Sequence, residues 1–193
     1  GLDTQPCGLA ENDYRQNPNA NVQVGSPSIA KTLFTTSSTE TTSNNLTIGE
    51  IATFDRTVTL PEGVTPAGTP SLRVTDVLPA GLQYVPGSAQ VVLGTFNGTI
   101  DASDPTVTLL TATGNGDDIQ FDFKQITTAP DDVTTNNSFV IRFQALVLDV
   151  PGNKGFNPGQ VTLVNTANLQ AGTGPVYNSN LVSTPIVEPH LAI

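Results

Sequence analysis

The stretch SFVIRFQALVLDV, residues 138–150, decides the fold class. Its apolar residues Phe139, Ile141 and Phe143 occupy every second position, and Arg142 lies between them. Successive side chains of a strand point to opposite faces, so this alternation predicts a strand with one buried face and one solvated face. Such strands are typical of antiparallel sheets.

Similar segments recur along the chain, separated by turns rich in Gly and Pro. Their spacing predicts an all-β, antiparallel, immunoglobulin-like β-sandwich of about nine strands. We expect residues 1–25 to form an irregular arm and residues 26–187 to form the sandwich. The predicted strands lie at 28–35, 48–60, 71–77, 88–96, 106–111, 118–125, 138–149, 160–170 and 181–187.

The composition excludes several classes of protein. The chain has 193 residues, with 17 acidic side chains against 7 basic ones and a net charge of -10. Nucleic-acid binding needs clustered Lys and Arg, so we expect no nucleic-acid partner. Since no apolar run approaches the roughly 20 residues of a membrane-spanning helix, we also expect no membrane span.

Cysteine and histidine are too scarce for the chemistry that they usually support. Cys7 is the single cysteine, so no disulfide can form within the chain, and His190 is the single histidine. A zinc site or a histidine-based catalytic triad is therefore improbable. With no recognisable nucleophile and base, we do not expect an enzyme.

The ends of the chain indicate a piece of a longer protein. The sequence contains no Met. The segments SPSIAK (26–31) and EPHLAI (188–193) share the pattern Pro, any residue, aliphatic, Ala. We therefore expect a processed module of a tandem array, with residues 188–193 linking it to a following module.

Polar residues interrupt three of the predicted apolar rows. Lys31 alternates with Ile29 and Leu33, Asp76 lies in the apolar row of SLRVTDVL, and Asn165 lies in that of VTLVNTANL. Burying a charge costs several kcal/mol unless the charge is paired or neutralised. Three inward-facing polar groups are least costly where they meet one another.

Two non-covalent interpretations of these residues stay open. Either Lys31 and Asp76 form a buried salt bridge beside Asn165, or the register is shifted by one residue and all three side chains face water. A third interpretation is covalent: burial favours a neutral, nucleophilic amine and a protonated carboxyl group. The acid would polarise the Asn165 carbonyl, the amine would attack it, and ammonia would leave.

The same residues carry a resemblance to a known family. The stretch SLRVTDVLPAGLQYVPGSAQV resembles a motif of repeat modules in bacterial surface proteins, and VTLVNTANL and IAKTL resemble their late and opening strands. The order Lys, Asp, Asn is similar to that of collagen-adhesin A-type modules of pilins and adhesins, which form Lys–Asn isopeptide bonds. The resemblance covers residues 26–187 and implies that Lys31 is the nucleophile, Asp76 the self-processing acid and Asn165 the acceptor.

The resemblance also implies a function and a location. It implies a structural extender or stalk module of an extracellular bacterial adhesin or fimbrial protein, monomeric and joined to neighbouring modules of the same polypeptide. The alternative function is a ligand-binding adhesin domain that recognises a carbohydrate or a protein, although the sequence has no Trp and only 3 Tyr for sugar stacking.

Some residues compete for these roles. Asn168 is a rival acceptor, and Glu50 and Asp55 are rival acids. Lys124 and Lys154 are predicted to face solvent, which leaves Lys31 as the candidate nucleophile. We expect no cofactor, although acidic loops could supply oxygen ligands for calcium. These loops contain Asp101, Asp104, Asp117, Asp118, Asp131 and Asp132.

Overall fold

The structure is a computed structural model, and it describes residues 25–39, 41, 44–156 and 159–188. The predicted arm and linker, with Cys7 and His190, lie outside the described residues except for Gly25 and Glu188. Fourteen strands and a short 3-10 helix, Thr134–Asn136, make up the regular structure of the described part. The strands are β1 (Ser28–Thr36), β2 (Ile51–Thr59), β3 (Gly63–Val64), β4 (Leu72–Val77), β5 (Leu82–Tyr84), β6 (Gln90–Val92), β7 (Gly98–Thr99), β8 (Thr106–Thr111), β9 (Asp118–Phe123), β10 (Thr127–Thr128), β11 (Ser138–Val147), β12 (Thr162–Ala171), β13 (Val176–Asn178) and β14 (Val182–Pro185).

Two main sheets form the β-sandwich, and all pairs of named strands are antiparallel. The first has the order β1-β2-β11-β5, with β6 also paired to β11. The second has the order β13-β12-β4-β9-β8, with β14 also paired to β12. A small third sheet has the order β3-β10-β7. The predicted all-β antiparallel sandwich is confirmed.

Aromatic side chains from both sheets meet in the core. Phe143 of β11 lies at the centre, with its ring centroid 5.9 Å from Phe54, 5.7 Å from Tyr84 and 5.9 Å from Phe121. The alternating row of β11 is buried as predicted, while Arg142 lies on the outer face. Contacts between the two inner faces therefore supply the apolar burial that stabilises the sandwich.

The main differences from the predicted strands concern short elements. The predicted strand at 88–96 is reduced to β6, and the small third sheet was not predicted. Its strands have two residues each, which is too short for a period of two to be recognised.

Gly81 occupies a crowded turn between β4 and β5. Its φ of +101° lies in a region that favours glycine, and an added Cβ would lie 2.2 Å from Oδ1 of Asn153. The Gly81 carbonyl accepts hydrogen bonds from Leu148 N at 2.9 Å and from Asn153 Nδ2 at 3.0 Å. This turn therefore depends on the absence of a side chain.

We expect Gly81→Ala to lower the free energy of unfolding by about 2 kcal/mol more than Gly87→Ala, measured by urea denaturation. Gly87 also has a positive φ, +79°, but an added Cβ there meets nothing within 4 Å. The difference between the two variants isolates the steric conflict with Asn153. Equal losses would contradict this account of the turn.

Candidate functional site

Lys31 lies on the inner face of β1 and is fully buried. Its backbone pairs with Arg56 of β2. Its Nζ atom donates to Oδ2 of Asp76, which is fully buried on β4 in the opposite sheet. The structure therefore brings Lys31 and Asp76 together across the core, as an ion pair.

Arg56 is a fourth polar member of this site, and the sequence analysis missed it. It is fully buried, and its Nε and Nη2 atoms lie 2.7 and 2.5 Å from Oδ2 of Asp76. Its guanidinium carbon lies 3.6 Å from the ring centroid of Phe143, a cation–π contact. Lys31 and Arg56 thus share one oxygen of one carboxylate.

A sequence signal for Arg56 was present. Ala52, Phe54 and Val58 define the inner row of β2, and a period of two places Arg56 in that row. The row that makes Glu50 a rival acid therefore passes through a buried cation. We name Lys31, Arg56, Asp76 and Asn165 the polar cluster.

The charges of the polar cluster do not balance if every group is ionised. Two cations would share the carboxylate of Asp76 in an apolar core. Because an arginine keeps its proton under ordinary conditions, the charge most readily lost is that of Lys31. Burial lowers the pKa of Lys31 from 10.5 to about 7; Asp76 opposes this shift and Arg56 adds to it. Burial also lowers the pKa of Arg56, against the opposing effect of Asp76.

Asn165 lies on the inner face of β12 and is buried. Within the described part of the chain, neither Oδ1 nor Nδ2 of its side-chain amide has a hydrogen-bond partner. An unsatisfied buried amide costs about 1–3 kcal/mol, so this residue is energetically unfavourable where it lies. Oδ1 of Asp76 and Nη1 of Arg56 are likewise buried without a partner among the described atoms.

The strand register places Asn165 beside the charged groups. Asp76 pairs with Ala167, and Asn165 is two residues from Ala167 on the same face. Asn165 is thus a diagonal neighbour of Asp76, a relation that spans about 7–8 Å between Cα atoms. Cα atoms of β1 and β12 also approach within 8 Å of each other.

A second contact holds β1 at Lys31. The side chain of Asn180 accepts a hydrogen bond from Lys31 N and donates one to Lys31 O, both at 2.9 Å. Next to this contact lies a polar cavity of about 410 Å³, lined by residues that include Lys31, Asn44, Asn180 and Ser183. Lys31 is thus the member of the polar cluster that borders this cavity.

The rival acids lie in other environments. Glu50 is buried, but its carboxylate accepts hydrogen bonds from Thr41 Oγ1 and Thr47 N, both at 2.8 Å. Asp55 faces the opposite side of β2 and forms an ion pair with Arg142 at 2.7 Å. The Nζ atom of Lys31 thus contacts Asp76 and neither rival.

The rival acceptor and the other lysines also lie apart from Lys31. Asn168 is half-buried and occupies the opposite face of β12 from Asn165. Lys124 is exposed and pairs with Asp101 at 3.0 Å, and Lys154 is exposed in a loop.

The acidic loops hold their carboxylates with protein donors. Asp101 accepts hydrogen bonds from the side chain and backbone of Ser103, and these hold the pKa of that carboxyl well below its usual range. Asp131 accepts hydrogen bonds from the side chains of Asn97 and Asn136 at 2.8 Å each. In the described ranges, no three acidic, His or Cys side chains form a group that could hold a metal ion.

Comparison with known proteins identifies relatives by fold alone. No protein-family model matches the sequence, and no curated protein matches it significantly. The full-length major pilin SpaD of Corynebacterium diphtheriae is similar in structure, with a TM-score of 0.51 and 14% identity, over 81% of this chain and 34% of that chain. This likeness shows a β-sandwich fold shared with a pilin.

Two further structures show weaker likeness. The major pilin SpaA of Corynebacterium diphtheriae has a TM-score of 0.47 and 19% identity, over 83% of this chain and 38% of that one. The C-terminal domain of the Streptococcus agalactiae AgI/II polypeptide BspA has a TM-score of 0.45 and 12% identity, over 86% of this chain and 51% of that one. The chain thus spans about a third to a half of the length of these structures.

Among the described residues, no helix has the length and the apolar character needed to cross a membrane.

The buried amine predicts an unusual dependence of stability on pH. With the pKa of Lys31 at about 7 in the folded state and 10.5 as the ordinary value, the unfolded chain binds more protons between these limits. The free energy of unfolding should therefore rise with pH above about 7, by up to about 1.4 kcal/mol per pH unit. We expect this in Asn165→Ala, which removes the amide that Lys31 could react with, measured by urea unfolding from pH 7 to 9.

The matched control is Asn165→Ala combined with Lys31→Met, in which the rise should disappear. Every other titrating group is common to the two variants. The same slope in both would show that Lys31 does not titrate in this window.

Proposed function

We propose that the chain is a structural extender or stalk module of a bacterial cell-surface adhesin or fimbrial protein, stabilised by an isopeptide bond between Lys31 and Asn165. The observation that carries the proposal is the buried contact between the amine of Lys31 and the carboxylate of Asp76, next to the unpartnered amide of Asn165. A cluster kept only for stability would be expected to satisfy that amide.

The proposed reaction joins the two side chains with loss of ammonia. The neutral Nζ atom of Lys31 attacks Cγ of Asn165, and a proton passes from Nζ by way of Asp76 to Nδ2. The Nζ–Cγ bond forms, the Cγ–Nδ2 bond breaks and ammonia leaves. The protonation state of Asp76 is the same before and after the reaction. The reaction happens once in each molecule. Asp76, which accepts the proton and then donates it as an acid to Nδ2, is therefore a self-processing group rather than part of an enzyme.

The surroundings of the polar cluster support this chemistry. The amine of Lys31 lies 5.3 Å from the ring centroid of Phe54, in a core where burial favours its nucleophilic neutral form. The cavity that Lys31 and Asn180 line is the route that we propose for ammonia to leave. The product amide would replace an unsatisfied amide and a buried amine, which removes two unfavourable buried groups.

The crosslink would change how the module bears force. Lys31 lies near the beginning of the sandwich and Asn165 near its end, in strands that are not paired with each other. Tension applied at residues 25 and 188 would pass from β1 to β12 through a covalent bond, so residues 32–164 would carry no load. This is the mechanical role that a stalk module requires, achieved without a disulfide.

The resemblance and the fold support a proposal for the biological setting. The sandwich is similar to that of a major pilin, SpaD. We therefore place the module outside the cell, at a bacterial surface, with neighbouring modules of its own polypeptide as partners. Loop-based carbohydrate binding has less support, since Tyr84 is buried and Tyr177 is half-buried.

Intact mass of the denatured protein tests the crosslink. We expect the wild-type chain to be lighter than its sequence by one ammonia, and Lys31→Ala and Asn165→Ala to have their full sequence masses. Most of the Asp76→Ala protein should stay at its full sequence mass, because the group that transfers the proton is missing.

The matched control is Asn168→Ala, which alters the same strand on its other face and should lose ammonia as the wild type does. Full mass in the wild type would refute the crosslink. Loss of ammonia in Asn165→Ala but not in Asn168→Ala would move the acceptor to Asn168.

A further inference from the structure

Arg56 has no assigned role in the reaction, yet it is a charged residue and the largest of the fully buried side chains in the described part of the chain. Two of its nitrogen atoms bond to Asp76, and its guanidinium lies over Phe143. The remaining nitrogen, Nη1, has no partner among the described atoms. A side chain that only filled space would place an apolar group here at less cost.

The charged groups around Lys31 are few. Arg56 faces it from β2 and Asp76 from β4. The strands β12 and β14, which also pack against β1, contain no titratable side chain. On β13, Tyr177 lines a separate apolar cavity with Leu60 and Pro61. Asp55 is directed away from the core toward Arg142. The charge state of Lys31 therefore depends on Arg56 and Asp76.

We infer that Arg56 is a positioning residue of the crosslinking reaction, which acts through Asp76 as the permanent counter-ion of its carboxylate and thereby leaves Lys31 as the free amine. This inference rests on the proposed isopeptide bond and assigns a further residue to it. Without Arg56, Lys31 and Asp76 would form a balanced ion pair, and the amine would hold its proton.

The charge balance before and after the reaction supports this role. With Arg56 present, the pair Arg56–Asp76 is neutral, and the core reaches neutrality when Lys31 loses one proton to solvent. The reaction then turns that amine into an uncharged amide, and the product retains the Arg56–Asp76 pair. Without Arg56, the product would leave Asp76 without an ionic partner in the core.

The first test measures the pKa of Lys31 directly, in a variant that cannot form the crosslink. In Asn165→Ala, labelled with 13C at the lysine ε carbons, Lys31 should titrate near its pKa of about 7. Adding Arg56→Met should move this midpoint upward by about one pH unit or more, because a like charge is removed and Asp76 is freed for Lys31. Arg56→Gln, which retains hydrogen-bonding capacity without charge, should shift it in the same direction.

The second test follows the reaction itself. The full chain is isolated from inclusion bodies in denaturant, before it has folded, and is verified to have its full sequence mass. It is then refolded between pH 5 and 9, and the loss of ammonia is timed by mass spectrometry. In Arg56→Met the rising limb of the rate should move to higher pH. Because half of the Lys31 amine is neutral at a pH equal to its pKa of about 7, the rate at pH 7 should fall about fivefold for the first pH unit that the limb moves and about tenfold for each further unit. Arg56→Lys, which retains a cation, should restore most of the rate.

The outcomes separate this inference from the crosslink. A wild-type chain that stays at full mass refutes the proposed bond, while the titration of Lys31 still tests the influence of Arg56. If the wild-type chain loses ammonia, and the Arg56 variants fold and react with the same pH profile or faster, the role of Arg56 is refuted and the crosslink is not. If Arg56→Met does not fold, Arg56→Gln provides the same comparison.

Discussion

The structure depends on one electrostatic constraint: two cationic side chains share a single carboxylate in an aromatic core, and all three are fully buried. Arg56 and Lys31 both donate to the same oxygen of Asp76. A surplus positive charge in this core is costly, and Lys31 is the group that can remove it, by losing its proton. In the proposed reaction this constraint favours the neutral, nucleophilic form of Lys31 through the charges of the folded core.

The fold brings these groups together from distant parts of the sequence. Arg56 lies opposite Lys31 in one sheet, and Asp76 reaches across the sandwich from the other. The position of Asn165 beside Asp76 follows from the register between β12 and β4. Since Lys31 and Asn165 lie on separate sheets, their contact depends on a correctly assembled sandwich, and the proposed bond would form in a fold that is already complete.

Much of this arrangement follows from alternation along the strands. The rows around Phe139, Asp76 and Asn165 identify inward-facing positions because long strands repeat their pattern several times. Arg56 also lies in such a row, the inner row of β2 with Ala52, Phe54 and Val58, so the same period predicts a buried cation there. The sequence analysis used that row only to identify Glu50 as a rival acid and therefore missed Arg56. Contacts made by single side chains in loops, such as Asn180 on the backbone of Lys31, leave no periodic signal.

The central claim is that β1 and β12 are joined covalently, and peptide mapping tests it most directly. Trypsin should not cut after a crosslinked Lys31, so the account predicts a branched peptide that joins residues 16–56 to residues 155–193, lighter than their sum by one ammonia. Fragmentation should place the junction at Lys31 and Asn165. Separate peptides 16–31 and 32–56, with 155–193 at its full mass, would contradict the account.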